Sequence, residues 1–132
     1  PSVVGRGSKR NWPSECLRHL KAGSPLSFFN SESPFNNWVH EQDLAALVER
    51  ALTTPSRGHD MVVVGARGRV TVGEAVRILK TETGSRSAVA CRRRQRGAFV
   101  IDWSKAARVY GYAPMRVEET LRRLAADEAA MQ

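Results

Sequence analysis

The side chains best suited to chemistry are three histidines, two cysteines, a few isolated carboxylates and one dense arginine run. His19, His40 and His59 do not fall at metal-ligand spacing. Cys16 and Cys91 form neither a CxxC nor a Cys/His cluster, so no metal site is expected. His40 stands between an aromatic extended segment and an acidic helix start, and its position favours tying the two together. Asp43, Asp60 and Asp102 each precede a helix or strand, where a capping or Asx-turn role is the default. No carboxylate pair reads as an acid/base dyad and no GxSxG is present, so no catalytic residue is assigned. The run Cys91-Arg92-Arg93-Arg94-Gln95-Arg96 has the right chemistry for a phosphate clamp, because guanidinium groups bind phosphate bidentately. It reads equally well as a solvated loop.

A second candidate is Met61-Val62-Val63-Val64-Gly65-Ala66-Arg67-Gly68, a β-branched run followed by GxxG. A dinucleotide loop needs glycines so that backbone N–H groups can approach a pyrophosphate at a helix N-terminus. The third glycine position holds Thr71, and Gly73 comes two residues late. Thr71 is better used as a helix cap, and no cofactor-binding residue is assigned.

The elements that must position these residues follow from local pattern. Ser2-Val3-Val4 reads as a strand closed by Gly5-Arg6-Gly7. Pro13-Ser14-Glu15 opens a helix that Gly23 stops. Leu26–Phe29 is a short strand, Asn30–Pro34 a turn-rich loop, and Phe35–Val39 a second extended piece. A strong helix starts at His40 or Asp43 and runs through Leu52. Met61–Val64 reads as a buried strand. Thr71 and Glu74 have capping-box spacing and open a helix ending at Gly84. Ala88–Cys91 is a further strand and Phe99-Val100-Ile101 another apolar run. Asp102 or Ser104 caps a short helix ending at Gly111, and Val117 to about Ala130 forms the last helix.

The 132 residues suit one domain spanning 1–132. A net charge of +8, from 21 basic and 13 acidic side chains, invites an anionic partner. The arginine excess is spread along the chain, which argues for a solvated surface over nucleic-acid binding as the main role. The apolar runs are far shorter than the ~20 residues of a membrane helix, so no membrane partner is expected. Two cysteines in no framework suit a reducing, cytoplasmic setting.

Three segments together resemble the C-terminal half of the extended short-chain dehydrogenases/reductases, the NAD-dependent epimerase/dehydratase family. Ser2-Val3-Val4-Gly5-Arg6-Gly7 is similar to that family's strand and "VYGPG" loop. Asn36-Asn37-Trp38-Val39-His40-Glu41-Gln42-Asp43-Leu44-Ala45 resembles its "RDFVHVDDLA" signature. Val62–Gly65, Thr71–Gly84, Asp102–Ala106, Tyr110–Pro114 and Val117–Leu121 follow its later segments in order and spacing. The resemblance implies an α+β lobe of a Rossmann-type α/β enzyme, with about five helices and short strands. It implies a substrate-binding part of an NAD(P)-dependent epimerase, dehydratase or reductase that is inactive alone. The Rossmann NAD(P)-binding half, absent from this chain, would lie upstream on the same or a separate chain and carry the Tyr-x-x-x-Lys pair. Here Tyr110 and Tyr112 are followed four residues later by Pro114 and Arg116.

The same resemblance implies NAD or NADP in the complete enzyme and none on this segment alone. It implies a small-molecule substrate, phosphate-containing in the nucleotide-sugar members, and it is compatible with a homodimer. By motif, Gly5, Arg6, Gly7 and Asn11 flank the substrate. Asn36 stands where nucleotide-sugar members have a diphosphate-contacting Arg, and Arg96 lies near another phosphate-contacting Arg. His40 and Asp43 match positions whose role is structural. The substrate, the choice of NAD or NADP and the reaction subtype stay open. The alternative is a non-enzymatic basic module that binds phosphate or nucleic acid through Arg92–Arg96 and Arg6–Arg10.

Overall fold

The computed structural model describes residues 1–55, 58–95 and 99–130. In chain order these form β1 (Ser2–Val4), α1 (Trp12–Lys21), β2 (Leu26–Phe29), β3 (Pro34–Phe35), β4 (Trp38–His40) and α2 (Glu41–Thr53). β5 (Val70–Thr71), α3 (Val72–Glu82), β6 (Val89–Arg92), α4 (Ser104–Tyr110) and α5 (Val117–Ala129) follow. This is the α+β arrangement expected from the sequence, with five helices and short strands among the described residues.

Helix starts and stops have local causes. Asn11 caps α1, its side chain accepting from Ser14 N at 3.0 Å, and Pro13 preorganises the first turn. Thr71 and Glu74 form the reciprocal capping box of α3, at 3.1 and 2.8 Å. Gly111 ends α4 in the left-handed region, at φ 63°.

The strands pair in three separate two-stranded sheets. β1 runs parallel to β4, β2 parallel to β6, and β3 antiparallel to β5. The larger core packs α1, α3 and α5 through Leu17, Leu20, Leu79, Leu121 and Leu124. Trp12, Phe35 and Trp38 form an aromatic corner of that core, with the Phe35 and Trp38 rings edge to face at 4.5 Å. A smaller core gathers α2 and α4 around Val39, Leu47, Ala106 and Tyr112.

Two expectations are corrected. Met61–Val64 is not a strand and pairs with none among the described residues: Val62 and Val64 pack on the smaller core, while Met61 and Val63 are 72% and 51% exposed. Their in–out alternation is strand-like, yet the segment is held by side chains, Lys105 donating to Met61 O at 2.8 Å. Phe35–Val39 is two strands, interrupted at Asn36-Asn37.

Candidate functional site

The loop leaving β1 is pinned by glutamate. Glu41 Oε1 accepts from Arg6 N at 3.2 Å, and a Cβ on Gly5 would lie 2.5 Å from the Glu41 carboxyl carbon. A side chain at position 5 would push the Glu41 carboxylate away from the loop, and Gly5, at φ 156°, leaves it room. Gly7 follows at φ 72°. Asn11 belongs to the same neighbourhood: besides capping α1, its Nδ2 lies 3.4 Å from Val3 O. Gly5, Arg6, Gly7 and Asn11 are therefore brought together at the end of β1.

Asn36 lies elsewhere, 1% exposed, as a bracket between two segments. Its Nδ2 donates to Ala66 O at 3.2 Å and Ile101 O at 3.0 Å, while Oδ1 accepts from Ile101 N at 2.7 Å. Both N–H donors and one of the two oxygen lone pairs are thus spent on backbone.

His40 joins strand to helix, as its sequence position favours. It ends β4 and caps α2, with Nδ1 accepting from Gln42 N at 3.2 Å. Because Nδ1 accepts, Nε2 carries the proton and donates to Asp127 Oδ2 at 3.0 Å. Asp43 accepts from Met115 N at 3.0 Å. Burial pushes its carboxyl above the usual range, against the pull of the Met115 N–H and His40.

Arg96 lies outside the described residues. Its neighbours Arg93 and Arg94 line a cavity of about 410 Å³ with Ser31, Glu32, Ser33 and Cys91. The Arg94 guanidinium sits 3.7 Å over the Phe29 ring, and Arg94 N donates to Asn30 Oδ1 at 2.8 Å. Phe29 and Asn30–Ser33 were not singled out from sequence, although the turn-rich loop facing an arginine run was the available signal. Among the described residues, three or more His, Cys, Asp or Glu side chains nowhere gather as a metal would need. None of the helices is long and apolar enough to cross a membrane, again among the described residues.

The GxxG segment does not fit a dinucleotide. Ala66 N donates to Asn36 O at 3.1 Å and Arg67 N to Met115 O at 2.9 Å, so these N–H groups are unavailable to a pyrophosphate. A Cβ on Gly65 would lie 3.0 Å from Asn36 O, which gives this glycine a packing reason.

No family model and no curated protein matches the sequence. Solved structures do match. UDP-glucuronic acid 4-epimerase from Bacillus cereus, solved with UDP-glucuronic acid and NAD, superposes with a TM-score of 0.80 at 14% identity. The match covers 99% of this chain and 44% of that one. The chain has the fold of the C-terminal lobe of an NAD-dependent epimerase. UDP-glucose 4-epimerase from Thermotoga maritima, solved with UDP-glucose, gives a TM-score of 0.77 at 18% identity, covering 96% of this lobe and 43% of that chain. RMD from Pseudomonas aeruginosa, complexed with NADPH, gives 0.74 at 16%, covering 99% and 47%. The lobe thus spans less than half the length of each.

Proposed function

We propose that the chain is the substrate-binding lobe of an NAD(P)-dependent epimerase, dehydratase or reductase, acting with a dinucleotide-binding half that this sequence does not contain. The observation that carries this reading is the asymmetric match: 99% of the chain against 44% of a nucleotide-sugar epimerase. In this reading NAD or NADP binds the other half, and the lobe contributes substrate contacts and closure. Hydride transfer needs a bound nicotinamide and a positioned acid/base. With no Tyr-x-x-x-Lys in the sequence and a GxxG turn whose N–H groups are spent, the lobe is inactive alone in this proposal. Its setting is cytoplasmic, in keeping with two free cysteines.

Two features support the need for a second half. In the β1–β4 register Ser2 N donates to Asn37 O, so Ser2 and Val4 face β4 while the Val3 N–H and C=O face the opposite edge. A two-stranded parallel pair is a fragment of a larger sheet by ordinary standards. Beside it, Ala45, Val48 and Leu52 continue the side of α2 that begins at Glu41, with Val48 and Leu52 51% and 83% exposed.

For the substrate, the cavity of Arg93, Arg94, Ser31 and Ser33 beside the Phe29 ring supports a phosphate-bearing compound, with nucleotide-sugars as the leading class. Gly5, Arg6, Gly7 and Asn11 would form the wall at the β1 end, and Asn36 would hold the backbone of Ala66 and Ile101. Arg96 belongs to the same proposed clamp. Titration of UDP-glucuronic acid into the isotopically labelled chain tests this. The expected result is a shift of the Ser31, Ser33, Arg93 and Arg94 amides that is lost in the R93A/R94A double variant. Unmoved amides at these positions in the folded chain would refute the substrate assignment.

A further inference from the structure

The cavity lined by Arg93 and Arg94 also holds one side chain of opposite sign, Glu32. Glu32 lines a second cavity as well, of about 470 Å³, together with Arg77, Lys80 and Glu74 of α3. Ser31 and Glu32 are common to both, so the two spaces open on the same loop. The cations around Glu32 do not take it up. Arg77 pairs with Glu74 at 3.7 Å, Lys80 donates to Ser87 O at 2.8 Å, and Arg94 lies over the Phe29 ring. Glu32 itself makes no hydrogen bond and no ion pair among the described residues.

The backbone that carries this carboxylate is nonetheless fixed. Ser33 N donates to Asn30 O at 2.9 Å and closes a turn with Glu32 inside it. The carbonyls on either side of Glu32 are both taken by the first turn of α3. Gly73 N donates to Ser31 O at 2.9 Å, and Val72 N donates to Ser33 O at 3.0 Å. Asn30 is tied to the arginine segment, its N–H donating to Arg92 O at 2.9 Å and its Oδ1 accepting from Arg94 N at 2.8 Å. An unspent carboxylate thus stands on a loop braced against α3 and β6. Bracing of this kind lowers the ordering cost of binding.

We infer that Glu32 is a specificity-determining residue, which takes the vicinal hydroxyls of the ligand whose phosphates lie on Arg93 and Arg94. The inference rests on the substrate reading above. An ionised carboxylate only accepts, and its two oxygens can each take one hydroxyl of a diol. Acidic side chains hold ribose hydroxyls in this way in dinucleotide sites. The same carboxylate repels phosphate, whereas guanidinium binds it, so the two residue types divide one ligand between its anionic and its hydroxylated parts. In a nucleotide-sugar either the ribose or the hexose supplies the diol.

Titration of the isotopically labelled chain with UDP, 2′-deoxy-UDP and UDP-glucose, each repeated on Glu32→Ala, tests the inference. Glu32 is exposed and has no internal partner among the described residues, so the variant keeps the fold. With ribose as the source of the diol, UDP binds at least about threefold tighter than 2′-deoxy-UDP, and Glu32→Ala abolishes the difference. With the hexose as the source, UDP and 2′-deoxy-UDP bind alike, UDP-glucose binds tighter than UDP, and Glu32→Ala abolishes that gain. If the Arg93 and Arg94 amides respond but Glu32→Ala leaves every ratio of affinities unaltered, this inference is overturned and the substrate reading stands. If no ligand moves those amides, the substrate reading falls and this inference with it.

Discussion

His40 donates its Nε2 proton to Asp127 at 3.0 Å, joining the cap of α2 to the last turn of α5 across 87 positions of sequence. The ring is fully buried, with Nδ1 engaged by Gln42 N, so one side chain satisfies a helix terminus and a tertiary contact at once.

Replacing His40 by Ala should therefore remove both functions. The expected loss is about 2–4 kcal/mol, combining a lost cap with a lost buried hydrogen bond. Asp127→Asn keeps an acceptor for the imidazole and should lose less than about 1 kcal/mol. Urea unfolding of the two variants checks the order, and equal losses would contradict it.

Asn36 predicts an inverted pattern. Its Nδ2 faces two carbonyl oxygens, so Asn36→Asp would point a carboxylate oxygen at both in a buried site. Asn36→Asp should destabilise more than Asn36→Ser, by roughly 2–3 kcal/mol. Thermal unfolding of the pair reads this directly.

The two cysteines should separate cleanly by reagent. Burial, with Glu15 adding to it, pushes the Cys16 thiol up to about 12, while Cys91 is exposed. A thiol-specific disulfide reagent at pH 8 should titrate one group in the native chain and both after denaturation. Rapid native reaction of both would show that the α1 face is open.

Asp43 sets a pH trend of known sign. Its carboxyl is held above the usual range chiefly by burial, so the native state keeps that proton more tightly than the unfolded chain. Its contribution to stability falls as pH rises through the folded-state value. Asp60, Glu74 and Asp102 are shifted downward, chiefly by hydrogen bonds from Lys105, Thr71 and Ser104, and so contribute stability that is lost on acidification. Asp43→Asn removes only the first trend. Relative to the native sequence, the variant should gain stability between pH 4 and pH 7, seen as a rising difference in urea midpoint. A constant difference would contradict the assignment.

Local signals carried most of the fold. The Thr71/Glu74 capping box, the glycine stop of α4 and the helix start at His40 were legible because each depends on neighbours within four residues. The unpaired state of Met61–Val64 was not, because alternation reports which side chains turn inward and says nothing about whether a second strand lies alongside. His40 could be placed at a strand–helix junction, but Asp127 could not be matched to it: a partner 87 positions away leaves no periodic trace. At the candidate site, the arginine run was visible as chemistry, whereas its cavity depends on Asn30–Ser33 folding against β6. The pinning of Gly5 by Glu41 likewise needed the paired β1 and β4.

In the proposed function this lobe shapes a substrate wall and depends on another half for its dinucleotide. Calorimetric titration of the isolated chain with NAD and NADP tests it most directly. No saturable binding of either is expected up to millimolar concentration. Binding of either in the low micromolar range by the folded chain would contradict it.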